Sequence, residues 1–451
     1  MTEPLQSPPR PELGEPRPYR FPEVADREVG GGLRLLTCHV PGKAVTTVEV
    51  VADLPVDSDP SGLEGLAVVV ARCLDEGTQT RDADGFAAAL ERHGATFHAS
   101  ASYEGLSAAI DVPASRLADA LPLLGEALRE PVFPESEVSR VVAQRLDQIT
   151  QERANPPQRA AIEFTSALHS GLGRFAIPQA GTAETAGRVR REHVVEAFSR
   201  VAPATTSVIV AGDLSDVDVE KVVSNAFSGW SVQAKPWEPL TSAPVPGPRV
   251  VAVDRPDSVQ TQLVLGHGAV DRRHPDWPAM VLGAYVLGGT LTSRIDMLLR
   301  EEKGYTYGLR GSFQPGRRGG VFGISGSVDT ENTVAAFDDL LGVVRKTVAE
   351  GATDAEVEAA RDYLVGVSPL RWETPGAVAG HLAMLVGCEL PLEWTDSYLA
   401  ALRSVSTDEV SAALARQVRP DELVLVTVGS AEQVSLAAES LGWPAPTVLP
   451  A

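Results

Sequence analysis

One pattern occurs twice in this chain, and the repeat constrains its folding more tightly than any single motif. ESEVSRVVAQRL at 135–146 returns as DAEVEAARDYL at 354–364, with Glu356 standing 219 residues after Glu137. TTSVIVAGDL at 205–214 returns as DELVLVTVGS at 421–430, with Gly429 standing 217 residues after Gly212. The alternating stretch GLRLLTCHVPGKAVTTVEVVADL is echoed by PRVVAVDRPDSVQTQLVLGHGAV. A near-constant offset held over most of the chain implies two copies of one α+β unit. At 451 residues there is room for two complete cores.

Residues 1–20 are acidic and Pro-rich without an apolar signal core, and are expected to be a disordered tail. Residues 21–229 form the first half, 230–248 a linker rich in Pro and small residues, and 249–451 the second half. Within the first half, 29–53 reads as a strand pair turning at Pro41-Gly42-Lys43. Helices are predicted at 65–75, 84–93, 115–128 (Ser115 as N-cap, Pro122 as a kink), 135–153 and onward from Pro156 to about Ser170. Thr205 to Leu214 reads as a buried strand and 217–227 as a short helix. GGVFG at 319–323 reads as a hairpin and strand rather than a phosphate loop.

The formal net charge is −21, which argues against nucleic acid or an anionic membrane as partner, because phosphate binding needs clustered Lys and Arg. Basic peptides stay open as substrates. Cys38, Cys73 and Cys388 make no close pair, so neither a disulfide framework nor a cysteine metal site is indicated. No apolar run approaches the roughly 20 residues of a membrane span. Together these features give the expectation of a cytoplasmic protein.

The stretch at 287–313, LGGTLTSRIDMLLREEKGYTYGLRGSF, carries the chemistry. Ser293 opens a helical run with an apolar stripe, and Gly304 stops it, since glycine accepts the left-handed backbone required there. Alternation from Tyr305 onward reads as entry to a strand. Arg300 and Tyr307 flank this corner, which can aim a cation and a phenol at one point. Taken alone, they are more ordinarily a surface arginine and a packed tyrosine.

Leu287-Gly288-Gly289, Ser293-Arg294-Ile295 and Leu299-Arg300-Glu301-Glu302-Lys303-Gly304-Tyr305-Thr306-Tyr307 resemble the second-half signature of the pitrilysin/insulinase family of inverted zinc peptidases, which includes the mitochondrial processing peptidases. The resemblance spans about residues 25–445. It implies two similar α/β halves, each an antiparallel sheet covered by helices, and it casts Arg300 and Tyr307 as the substrate-binding pair.

In that family a His-x-x-Glu-His helix of the first half binds zinc, and a downstream Glu completes the ligand set. The same frame occurs here as Gly65-Leu66-Ala67-Val68-Val69-Val70-Ala71-Arg72-Cys73-Leu74-Asp75-Glu76-Gly77-Thr78. The ligand positions thus hold Val68 and Arg72, and the general-base position holds Ala71. The downstream ligand position falls on Gln148, or on Asp147 if the match slips by one residue. Valine and alanine offer no donor atoms, and Arg72 brings a permanent cation. If buried it needs a partner, for which Gln148, Asp75 and Glu76 are candidates. None of the eight histidines forms a His-x-x-Glu-His pair.

The resemblance therefore implies a chain with no cofactor of its own and no activity alone. Its role would be the non-zinc subunit of a heteromeric metalloendopeptidase, lending Arg300 and Tyr307 to peptide substrate held with a homologous zinc-bearing partner. The alternative is a catalytically inactive scaffold or peptide-binding homologue.

Overall fold

The computed structural model describes residues 19–235, 237 and 249–451. Nearly all of the expected tail and most of the expected linker lie outside these residues.

Strands β1 (Val24–Val29), β2 (Leu33–His39), β3 (Val45–Ala52), β4 (Thr96–Ser102), β5 (Gly105–Pro113) and β6 (Thr206–Gly212) form one sheet in the order β1-β2-β6-β3-β5-β4. Strands β7 (Arg249–Asp254), β8 (Gln260–Ala269), β9 (Leu309–Gly316), β10 (Gly319–Asp329), β11 (Val424–Gly429) and β12 (Thr447–Leu449) form a second, in the order β12-β7-β11-β8-β10-β9. The repeat in sequence is thus a repeat in topology, and the fold is α+β. It extends to one internal contact. A Cβ on Gly212 would lie 2.9 Å from Thr46 Cα, and one on Gly429 would lie 3.1 Å from Thr261 Cα. Each glycine lets its strand close on the same point of its neighbour.

Two sequence expectations need correction. The paired strands at 29–53 are not a hairpin, because β6 lies between β2 and β3, as β11 lies between β7 and β8. Nor are the sheets purely antiparallel: β2 runs parallel to β6, and β7 to both β11 and β12. The cause is the composition of β6 and β11, whose side chains are buried at every position. A strand apolar on both faces belongs at the centre, covered on both sides.

The helices α1 (Leu66–Arg72), α2 (Ala83–His93), α3 (Leu117–Arg129), α4 (Glu135–Ala154) and α5 (Pro156–Leu168) follow the predicted order. Ser115 is not a cap, because a 3₁₀ turn at Ala114–Arg116 leads into α3, which runs on through Pro122. Asn155 ends α4 and caps α5, accepting from the Gln158 amide at 3.1 Å.

The second face of each sheet is covered by a helix from the other half. Phe164 and Leu168 of α5 pack on Val424 and Val426 of the second sheet. The Pro375–Gly387 helix packs Val378, Ala379 and Leu382 on Leu36, Ile209 and Ala211 of the first. This exchange, unmarked in the sequence, ties the halves through apolar burial. The β9–β10 hairpin adds a polar tie, as Arg317 reaches Asp53 of the first half at 3.9 Å and Arg318 reaches Asp57 at 3.7 Å.

Candidate functional site

Helix α1 buries Leu66, Ala67, Val69, Val70 and Ala71 in the first core. Ala71, at the general-base position, is therefore a core residue. Val68 and Arg72, four apart, share the remaining face and are only partly buried. That face meets α4, where Arg145, Gln148 and Glu152 lie in one stripe at three- and four-residue spacing. Arg145 is nearly fully buried and forks onto Glu152, with Nη1 to Oε1 at 2.6 Å and Nη2 to Oε2 at 2.8 Å. Its Nε donates to the Ala180 carbonyl at 3.0 Å. Gln148, between them, accepts from Arg72 Nη1 at 2.6 Å.

Of the three candidate partners for Arg72, the structure selects the neutral one. Glu76 is taken by Arg140, and neither a hydrogen bond nor an ion pair joins Asp75 to Arg72 among the described residues; Asp147, the alternative ligand position, is exposed. Among the described residues Arg72 has no carboxylate within 4.0 Å. Burial lowers its pKa, and the Arg145 charge lowers it further against a weaker opposing pull from Glu152. The family's zinc has no counterpart in these residues. Valine has no donor, the Gln148 oxygen is occupied, and a guanidinium would repel a divalent cation. Among the described residues no three His, Cys, Asp or Glu side chains gather as a metal requires.

The second cluster lies at the corner of the second half. Ser293 caps a short helix at Arg294–Asp296, which passes into a π-helical turn at Met297–Glu302 carrying Arg300. The sequence pattern predicts a helix here, and the extra residue in the turn was not legible in it. Gly304 adopts φ +68° and reverses the chain as expected. The following loop is pinned at several points. The Tyr305 amide donates to the Leu299 carbonyl at 2.8 Å, and the Asp329 amide donates to the Tyr305 carbonyl at 3.0 Å. Thr306 Oγ1 donates to the Ser327 carbonyl at 2.6 Å and accepts from the Gly308 amide at 2.9 Å.

Tyr307 projects from this held backbone before β9 begins and is 88% exposed. Val259 at the β7–β8 turn is 86% exposed, and its carbonyl binds the amide of Thr330, the residue after Asp329. Arg300 is spent on its neighbour, Nη1 to Glu301 Oε1 at 2.6 Å. No hydrogen bond joins Arg300 to Tyr307 among the described residues. Sequence reading missed Asp296, which is fully buried, binds the Leu309 amide at 2.9 Å and pairs with Arg310. The signal was its place three residues after the capping Ser293.

Residues 34–172 match the family model "Insulinase (Peptidase family M16)", and residues 191–364 match "Peptidase M16 inactive domain". Together the two take in most of the chain, the second running from the end of the first half into the second. The chain belongs to the M16 peptidase family. It is 23% identical over 374 residues to the non-peptidase homolog YmxG of Helicobacter pylori, covering 81% of this chain and 84% of that one. It is 25% identical over 402 residues to an uncharacterized zinc protease of Streptomyces coelicolor, covering 86% and 85%. Its fold matches the crystal structure of a peptidase M16 inactive domain from Pseudomonas fluorescens, with a TM-score of 0.83, 22% identity, and coverage of 90% and 98%. The α1–α4 contact and the Tyr307 corner are thus the two candidate sites of an M16 chain.

Proposed function

We propose that this M16 protein is hydrolytically inactive by itself and serves as the non-zinc subunit of a two-chain peptidase, presenting Arg300 and Tyr307 to peptide bound with a zinc-bearing homologue. The observation that carries the reading is the contrast between the two sites. The α1–α4 contact holds Val68, Ala71, Arg72 and Gln148, a set with no metal chemistry, while Tyr307 stands almost fully exposed on a backbone pinned from several sides. A fixed loop that exposes a phenol suits a surface completed by another chain. The non-peptidase name of the H. pylori relative agrees with the first part of the reading.

In that role the Tyr307 hydroxyl donates to the oxygen that gains charge on the scissile carbonyl. Arg300 releases Glu301 and takes a substrate carbonyl or carboxylate. The partner supplies the metal and the general base. No helix among the described residues is long and apolar enough to cross a membrane. A cytoplasmic location belongs to the same proposal.

The test is cleavage of a quenched fluorescent peptide by this chain, by a metal-bearing M16 homologue, and by the two mixed, with zinc assayed in each. Activity should reach its maximum only in the mixture. It should fall on the order of 10²–10³ with Tyr307→Phe, while the zinc content holds. Zinc and hydrolysis in this chain alone would overturn the reading, as would an unchanged rate in the Tyr307→Phe mixture.

A further inference from the structure

A cleft of about 280 Å³ lies between the tip of the β9–β10 hairpin and the first half. It has room for a small molecule rather than for a single water. The hairpin register pairs Gly316 with Gly319, so Arg317 and Arg318 are the two turn residues, and Gly319 takes φ +106° to close the turn. The first half supplies an aromatic wall. Tyr103 and Phe175 stack with ring centroids 5.6 Å apart, and His169 tilts against Phe175 at 5.9 Å. Arg174 fixes this wall from behind. Its Nε donates to the Val56 carbonyl at 2.9 Å, its Nη1 to that of Ile177 at 3.0 Å and its Nη2 to that of Gln179 at 2.8 Å. Its guanidinium carbon also stands 6.0 Å from the centre of the Tyr103 ring.

Polar groups in this cleft have capacity left over. Asp57 lies in the 3₁₀ turn that follows β3 and is 8% exposed. Its Oδ1 has no hydrogen-bond partner among the described residues. Arg318 Nη1 stands 3.7 Å from Asp57 Oδ2, beyond hydrogen-bond reach. Among the described residues Arg318 donates no hydrogen bond, and its guanidinium lies 5.6 Å from the centre of the Trp237 ring. Arg317 Nε is buried and unpartnered as well. Burial raises the Asp57 pKa against the pull of its own backbone amide and of Arg318, Arg317 and Arg174. The cations around it therefore do not replace the water it lost. So loose a pair of opposite charges beside an apolar wall is a net cost to the fold until something completes it.

We propose that this cleft binds a free α-amino acid with an apolar side chain, its ammonium on Asp57, its carboxylate on Arg318 and its side chain against Tyr103 and Phe175. One carbon separates the two charged groups of an amino acid, which matches an acid and a guanidinium held 3.7 Å apart. A simple amine would leave Arg318 without its anion, and a simple carboxylate would leave Asp57 without its donor. The ligand touches both halves, Asp57 from one and Arg318 from the other, and so fastens the hairpin to the first half. None of these residues belongs to the α1–α4 contact or to the Tyr307 corner, and the proposal holds whether or not this chain takes part in hydrolysis.

The test is isothermal titration calorimetry on the full-length chain. The probes are phenylalanine and leucine, each alongside its carboxamide and its analogue lacking the amino group. One of the two amino acids should bind with a Kd below roughly 1 mM and raise the melting temperature. Its carboxamide and its deaminated analogue should each bind roughly tenfold to a hundredfold more weakly. Arg318→Gln should bind acid and carboxamide alike, and Asp57→Asn should no longer distinguish the amino acid from its deaminated analogue. Circular dichroism melts confirm that each variant is folded, and the comparison of probes on the unmodified chain stands without them. Absence of binding by both amino acids overturns the proposal. So does equal affinity for the amino acid and either analogue, or a discrimination that survives in folded Arg318→Gln.

Discussion

The two halves of this M16 protein repeat one topology yet treat comparable arginines in opposite ways. Each sheet ends in an edge strand beside helical structure, β4 in the first half and β9 in the second. In the second half the edge arginine, Arg310, is tied to Asp296, a carboxylate with no exposed surface that also holds the Leu309 amide. In the first half Arg72 meets only Gln148. A cation matched to a buried acid is part of the framework. A cation left with an amide gains no such pairing, and its desolvation is a cost to the fold. The same contrast separates the candidate sites: Arg300 and Tyr307 stand at a surface corner, while Arg72 is half-buried between α1 and α4.

The comparison breaks most visibly at the matched glycines. Gly212→Val must push β6 off the Thr46 backbone from a φ of +155°, and is expected to lose about 3–5 kcal/mol in urea denaturation. Gly429→Val faces the slightly looser Thr261 contact without the positive φ, and should lose about 1–3 kcal/mol. Equal losses would mean that backbone conformation adds nothing to the contact.

Acid separates the halves next. In the second half His267 is buried, its Nδ1 lies 2.8 Å from the Gly268 carbonyl, and its Nε2 accepts from the Arg419 amide at 3.0 Å. Burial holds its pKa at about 4, and His381, also buried, is held at about 4. The unfolded chain binds these protons at about pH 6.5, so stability is full above that value and falls as pH drops toward 4. For His267 alone the limit is on the order of 3 kcal/mol. In the first half, burial raises Asp59 to about 6. Its contribution has the opposite sign, present below the unfolded carboxylate value near 3.9 and lost as pH rises through 6. Melting temperatures should therefore fall between pH 6.5 and 4, less steeply in His267→Gln and more steeply in Asp59→Asn. A flat profile in all three would refute the assigned protonation states.

The two arginines should differ most from each other, and Arg72 should give the smallest effect of all. Arg310→Met strands the buried Asp296 and should cost about 2–3 kcal/mol in urea. Arg72→Met removes a cation that lacks a counter-charge, and stability should stay within about 0.5 kcal/mol of the wild type or rise. A large loss at Arg72 would show that Gln148 alone satisfies it as framework.

Much of this fold was legible because its signals are periodic or duplicated. The α1–α5 order, the β9–β10 hairpin, the stop at Gly304 and the topological repeat all follow from apolar spacing, turn residues and the constant offset. The hairpin predicted at 29–53 failed because pairing is a non-local choice. Nothing within that stretch announces that β6, more than 150 residues downstream, separates its strands. The π-helical turn at Arg300 escaped because periodicity over six residues cannot distinguish 3.6 residues per turn from a wider turn. The exchange of α5 and the Pro375–Gly387 helix escaped because an apolar face says that it must be covered, not by what.

By itself the sequence determined the duplicated α+β plan and the absence of metal-donor chemistry at Val68, Ala71 and Arg72, since side-chain composition settles which atoms can ligate. Tertiary structure alone decided which partner Arg72 receives. Gln148, Asp75 and Glu76 were equal candidates along the chain. Only the packing of α1 on α4, with Glu152 already held by Arg145 and Glu76 by Arg140, leaves that cation facing an amide.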